Sequence, residues 1–290
     1  MMPQIQRQTN QPLFPEIFWN RPTIKSRGGR LLIVGGHRHE FALIQGIYQI
    51  TEAAGIGYVQ AALPDTLRNL IGGGEFGHFL PASPSGSLGR AALGELLHLA
   101  EGYDGIIIGA NLTNNSETSV LIESLIARSQ RPIIITEEAI ESFKFNPKLI
   151  TNNAQAVVVT TMPGLFALAN HHHLPLAIKP NRGVMGKIEI LQQIVDISRC
   201  SYLVFDADII VAAEEQISLT PLERPLSQAP AIAIGLASVL WLQNRSKTFQ
   251  ALTTAAYLAH QATQQPDATL SAVSRAIRAA MLAHEDASLS

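Results

Sequence analysis

The 290-residue sequence has one cysteine, Cys200, which excludes an intramolecular disulfide and any Cys-x-x-Cys metal site. Charge is also sparse: 15% of residues are Asp, Glu, Lys or Arg, and the formal net charge is −2. No basic stripe breaks that balance, so nothing here would attract nucleic acid or an anionic membrane. Apolar runs never reach the roughly 18 residues of a membrane span. The longest, Ala229 to Gln243, suits a buried helix instead. The first twenty residues have no continuous apolar stretch and no cleavage site, so no signal peptide is expected and the protein reads as cytoplasmic. Two catalytic signatures are missing as well. There is no G-x-x-x-x-G-K-[ST] loop, which excludes a P-loop kinase, and no G-x-S-x-G elbow for a Ser-His-Asp hydrolase.

What remains is a chain with 47% hydrophobic residues, enough to fill a large core. Residues 1–27 are polar, aperiodic and punctuated by proline, and read as an N-terminal arm; residues 28–290 read as one domain. LLIVGG (31–36) is a short apolar run ended by glycines, as in a buried parallel strand. A helical pattern over 40–54 follows, then a strand over 56–63. Residues 72–86 are rich in Gly and Ser and read as a flexible loop before a helix over 88–100. Strands at 105–110, 132–136 and 156–161 alternate with helices, the first of these over 116–128. An amphipathic helix over 188–198 precedes YLVFDADIIVAA (202–213), two strands joined by a tight turn through Asp206 and Asp208. Three helices, roughly 229–244, 247–263 and 268–283, complete the chain. Strand-helix alternation of this kind requires a parallel sheet covered on both faces.

Several short motifs follow one another in a recognisable order. They are Lys25-Ser26-Arg27-Gly28-Gly29-Arg30 before the first strand, Gly35-Gly36-His37-Arg38 after it, and Ala54-Gly55-Ile56-Gly57-Tyr58-Val59. Further on come Ile108-Gly109-Ala110-Asn111-Leu112 with Glu117-Thr118, then Pro163-Gly164, then Tyr257-Leu258-Ala259-His260. Together they resemble the ADP/ATP-dependent NAD(P)H-hydrate dehydratases, the metabolite-repair branch of the ribokinase-like superfamily. That resemblance implies an α/β fold, a three-layer α/β/α sandwich with a mostly parallel central sheet and an all-helical C-terminal third. It also implies ADP or ATP with Mg²⁺ across the strand ends, beside an NAD(P)H-derived small molecule. By the same resemblance the nucleotide- or substrate-binding positions are Gly36, His37, Ala42, Gly109, Asn111, Glu138, Met162, Gly164 and Asp206.

Departures from the family pattern fall where its chemistry is done. Its G-[ST]-G-D loop, whose Asp acts as the base, here reads Gln228-Ala229-Pro230-Ala231, so Ala231 occupies the Asp position and no catalytic residue is assigned. An alanine cannot accept a proton, and Pro230 removes a backbone donor. H-P-G-E has become Met162-Pro163-Gly164-Leu165, and an acidic pair at Asp206 and Asp208 stands where a lysine would favour phosphate. The expectation is therefore a member of this group that is catalytically impaired or inactive and retains at most nucleotide or metabolite binding. Two alternatives are an active dehydratase or small-molecule kinase with a relocated base, and a structural or interaction subunit, in a homo-oligomer for instance. Glu137, Glu138, Asp206 and Asp208 could together hold Mg²⁺ through carboxylate oxygens, although acids at strand ends more often cap the next helix or face water. His171-His172-His173 reads as a polar helix end, because adjacent side chains on a helix do not converge.

Overall fold

The computed structural model describes residues 5–22, 24–72, 74, 76–113, 115–175, 183–222, 228–264 and 269–286. β1 (Ile5–Arg7) and the single turn α1 (Glu16–Trp19) come first. β2 (Arg30–Gly35), α2 (Ala42–Ala53), β3 (Tyr58–Pro64), α3 (Arg68–Ile71) and β4 (Gly77–Leu80) follow. Next are α4 (Leu93–Glu101), β5 (Gly105–Ala110), α5 (Ser116–Arg128), β6 (Ile133–Thr136) and the one-turn helices α6 (Glu137–Ile140) and α7 (Lys148–Thr151). β7 (Ala156–Thr160), α8 (Met162–His171) and α9 (Val184–Val195) lead to β8 (Ser201–Phe205), β9 (Asp208–Ala213) and β10 (Gln216–Pro221). The chain closes with α10 (Ala229–Gln243), α11 (Thr248–Thr263) and α12 (Leu270–Asp286).

Among the described residues ten strands form one sheet in the order β1-β10-β9-β8-β7-β6-β5-β2-β3-β4. Every neighbouring pair is parallel except those of β9, which is antiparallel to both β8 and β10. The central strands are continuously apolar because both of their faces are covered. Leu31, Ile33, Ile107, Ile134 and Val157 pack under α2, α10, α11 and α12. Their neighbours Leu32, Val34, Ile106, Ile133 and Val158 pack under α4, α5, α8 and α9 on the other side. A strand's two-residue period sorts alternate residues into the two layers.

α10 shows the same logic in a helix. Residues 231 to 241 are buried without interruption, so the helix is apolar on every side, as a helix enclosed on every side must be.

The sequence reading needs three corrections. The polar N-terminal segment is not merely a peripheral arm: β1 pairs with β10, and α1 buries Ile17 and Phe18 completely. The Gly/Ser-rich stretch over 72–86 is not all loop, because it contains β4, the strand at one edge of the sheet. The hairpin after α9 is followed by a further strand, β10. Its tight turn through Asp206 is present as expected.

Candidate active site

Strand order decides where a ligand would bind. From β2 the chain goes outward to β3 and β4, then returns across β2 to β5 and continues outward on the other side. The topological switch point of the sheet, where ligands bind in open α/β sheets, therefore lies at the carboxyl ends of β2 and β5.

Backbone geometry there is unusually close. The Gly36 N–H donates to the Ala110 carbonyl at 2.8 Å, and a Cβ on Gly35 would lie 1.9 Å from that oxygen. Gly35 can have no side chain at all. The next turns need left-handed backbone: Gly36 has φ +93°, Gly109 has φ +114° and Asn111 has φ 53°. Asparagine tolerates that region better than most residues, so the turn after β5 survives without its glycine.

Asn111 is buried, and its side chain has a definite job. Oδ1 accepts from the Leu43 N–H at 2.9 Å and the Ile44 N–H at 3.4 Å. Both donors lie in the first turn of α2, so a residue from β5 caps a helix across the switch point. Ala42, the first residue of that helix, is exposed beside it.

His37 is clamped rather than free. Its backbone exchanges hydrogen bonds with Glu40, and Nε2 sits 2.9 Å from the Ser85 carbonyl. A carbonyl only accepts, so Nε2 carries the proton and Nδ1 is left to accept the His39 N–H at 3.4 Å. The Ser83–Ser87 turn that holds it is itself tied to Thr113 after β5 through Ser87. Pro84-Ser85-Gly86-Ser87 reads in sequence as a turn-rich loop, but nothing local places that turn or Glu40 against His37.

Glu138, in α6 just after β6, stands beside the turn that follows β5. One carboxylate oxygen accepts the Leu112 N–H at 2.9 Å. Although solvent reaches the side chain, the surrounding protein pushes its pKa up to about 6. Loss of hydration is the main cause, and the like charges of Glu40 and Glu137 add to it; the Leu112 and Asn111 N–H groups oppose it.

The other expected positions lie further along the rim. Met162 and Gly164 are buried at the start of α8, and a methyl on Gly164 would meet Thr160 Oγ1 at 2.1 Å. Glu137 accepts from the Thr161 hydroxyl and, at 2.9 Å, from the Thr161 N–H, so it braces this helix start. Asp206, at the end of β8, pairs with Lys187 of α9 at 2.7 Å. The four-carboxylate Mg²⁺ site is accordingly not formed: Glu137 and Asp206 are engaged separately. Among the described residues no group of three or more His, Cys, Asp or Glu could hold a metal ion. His171 lies outside the site, at the end of α8, 3.5 Å from Glu141.

Ala231 is on the first turn of α10, 2% exposed, and faces α2. A methyl on Gly46 would come within 2.7 Å of its Cβ, and one turn on, a methyl on Gly235 would come within 2.6 Å of Ile50. Two helices thus meet through small residues at positions 231 and 235. Gln228 provides no side-chain cap, and Pro230 lies in the first turn. These residues do not fit a nucleotide phosphate: the turn has lost a donor, has no glycine, and is committed to packing.

Comparisons agree with this geometry. A ribokinase-like superfamily protein from Enterococcus faecalis superposes with a TM-score of 0.75 at 15% identity, covering 97% of this chain and 96% of that one. The chain has the ribokinase-like fold. The ADP/ATP-dependent NAD(P)H-hydrate dehydratase of Bacillus subtilis, co-crystallised with ATP and Mg²⁺, gives a TM-score of 0.61 at 14% identity over 94% of this chain and all of that one. In sequence, the bifunctional NAD(P)H-hydrate repair enzyme of Moorella thermoacetica is 29% identical over 142 residues. That match spans 48% of this chain but 27% of that enzyme's length. No family model matches the chain. The ribokinase-like resemblance expected from the motifs is thus present in both fold and sequence. Among the described residues, no helix is long and apolar enough to cross a membrane.

Proposed function

We propose that this protein is a divergent relative of the NAD(P)H-hydrate dehydratases that binds a nucleotide or NAD(P)H-derived small molecule at the ends of β2, β5 and β6 without transferring a phosphoryl group there. One observation carries the loss of chemistry: the position expected to hold the base is Ala231, whose Cβ is packed against Gly46 of α2. Even an aspartate at this position would face a neighbouring helix rather than a ligand. Retained binding is supported by the switch point, where Gly36, Gly109 and Asn111 keep the backbone turns that let a ligand approach closely.

A second reading has its own support. Glu138 stands beside the turn after β5 with a pKa raised to about 6, suited to accepting a proton near neutrality. It would be the relocated base of an active enzyme.

Calorimetric titration with ADP, ATP and NADPH, with and without Mg²⁺, tests the first reading alongside incubation with hydrated NADH and each nucleotide. Heat with at least one ligand and no return of NADH absorbance is the expected result. NADH recovery that disappears in Glu138→Ala would replace the first reading with the second. No heat with any ligand would overturn both.

A further inference from the structure

A groove at the opposite end of the sheet is lined mainly by cationic side chains. Two cavities of about 320 and 360 Å³ adjoin where α2 ends, sharing Glu52, Ala53 and Arg278 in their walls. Arg21 and Lys25 line the first, and Arg275 lines the second. Four cationic side chains and one carboxylate therefore line the two cavities, in a chain whose formal net charge is −2.

Three of these cations are not neutralised by the carboxylate. Among the described residues, Glu52, Lys25, Arg275 and Arg278 take part in no ion pair. The carbonyl end of α2 carries a partial negative charge and would attract a cation, but one side chain is enough for that. Arg275 and Arg278 come from another helix, α12, three residues apart and hence on one face, where like charges repel. An anion between them would relieve that repulsion.

A second feature points the same way. Ser274, which precedes Arg275 on α12, lines the same cavity, and its buried hydroxyl has no hydrogen-bond partner. Arg275 is already steadied by donating to Ser271 Oγ at 2.9 Å. We propose that this groove binds the phosphate groups of a small molecule through Lys25, Arg275 and Arg278, with Ser274 as a neutral donor. Guanidinium forks match phosphate oxygens two at a time, and the joined cavities have room for a diphosphate. This site is separate from the strand ends at the switch point, so it stands whether or not those bind a nucleotide.

Calorimetric titration of the full chain with inorganic pyrophosphate tests it, with ADP in a parallel arm. Pyrophosphate should bind once per chain, more weakly as salt rises, and the double variant Arg275→Gln/Arg278→Gln should lose roughly tenfold or more in affinity. Glu52→Gln should tighten binding, a gain that misfolding cannot mimic. Arg68→Gln, whose guanidinium stacks on Phe79 elsewhere on the surface, should change nothing. An ADP affinity that falls with pyrophosphate in the double variant would identify a nucleotide as the ligand. An ADP affinity that holds while pyrophosphate falls would identify a free diphosphate. Absence of binding at millimolar pyrophosphate, or binding indifferent to both the double variant and Glu52→Gln, would overturn the proposal.

Discussion

Two stretches of the same sheet edge have fared differently. Around β2 and β5 the backbone keeps a tight geometry, with left-handed turns at Gly36, Gly109 and Asn111. The start of α10, one helix layer away, is Gln228-Ala229-Pro230-Ala231, a turn without glycine or acid whose Ala231 packs against α2. The difference lies in what each region must do for the fold. Gly35 is fixed by strand pairing, because any side chain would strike the Ala110 carbonyl, so this rim persists whatever the chemistry. The start of α10 is needed for the fold only as a helix against α2, and apolar residues serve that purpose well.

Substitutions can break or sharpen this contrast. The largest effect is expected from Gly35→Ala, which should cost about 3 kcal/mol or more through overpacking against a backbone carbonyl that cannot yield. Urea unfolding would measure it, and a mild effect would mean the rim is looser than the contrast requires. Ala231→Asp should come next. Burying a carboxylate against α2 should cost about 3 kcal/mol and restore no NADH-forming activity with hydrated NADH and ATP. A stable variant that gains turnover would show that the start of α10 is still a catalytic loop.

Asn111→Ala should have a smaller effect, about 1 kcal/mol for the lost cap on α2, while Asn111→Asp keeps the acceptor and should retain most of the stability. Thermal melts of the pair would separate capping from backbone strain. The smallest effect concerns pH. Glu138 titrates near 6 in the fold against an ordinary value of 4.5, so the folded state holds more protons than the unfolded one between those values. Its contribution to stability is therefore present below pH 4.5 and is lost as pH rises through 6. Solvent screening limits this to about a few tenths of a kcal/mol. Glu138→Gln should flatten that part of the stability profile, measured by denaturation at pH 4.5 and 7.

Much of the architecture was legible in the residues. The run LLIVGG, the isoleucines at 106–108 and 133–135 and the valines at 157–159 are buried parallel strands, because only a strand covered on both faces has no polar alternation. The helix over 116–128 has the bounds its pattern suggested, with Asn115 accepting from the Thr118 N–H as its cap. β1 and β10 were not legible, since both are held by pairing between distant segments that no local period records. In the candidate site, Gly36, Gly109, Asn111 and Glu138 could be named from motif order. The carboxylates at 137 and 206 looked like potential metal ligands because sequence does not reveal their partners, which proved to be Thr161 and Lys187.

Sequence by itself determined the layered α/β chain and the apolar character of the segment that begins at Ala229, because hydrophobic period and residue chemistry are local properties. Only the tertiary structure decided that Asn111 caps α2 from across the sheet, that His37 is pinned by a serine turn, and that Ala231 faces Gly46. It also brought Lys25, Arg275 and Arg278 around joined cavities. Each of these joins residues tens to hundreds of positions apart, and chain closure over such distances is set by how helices and strands pack rather than by any neighbour in sequence.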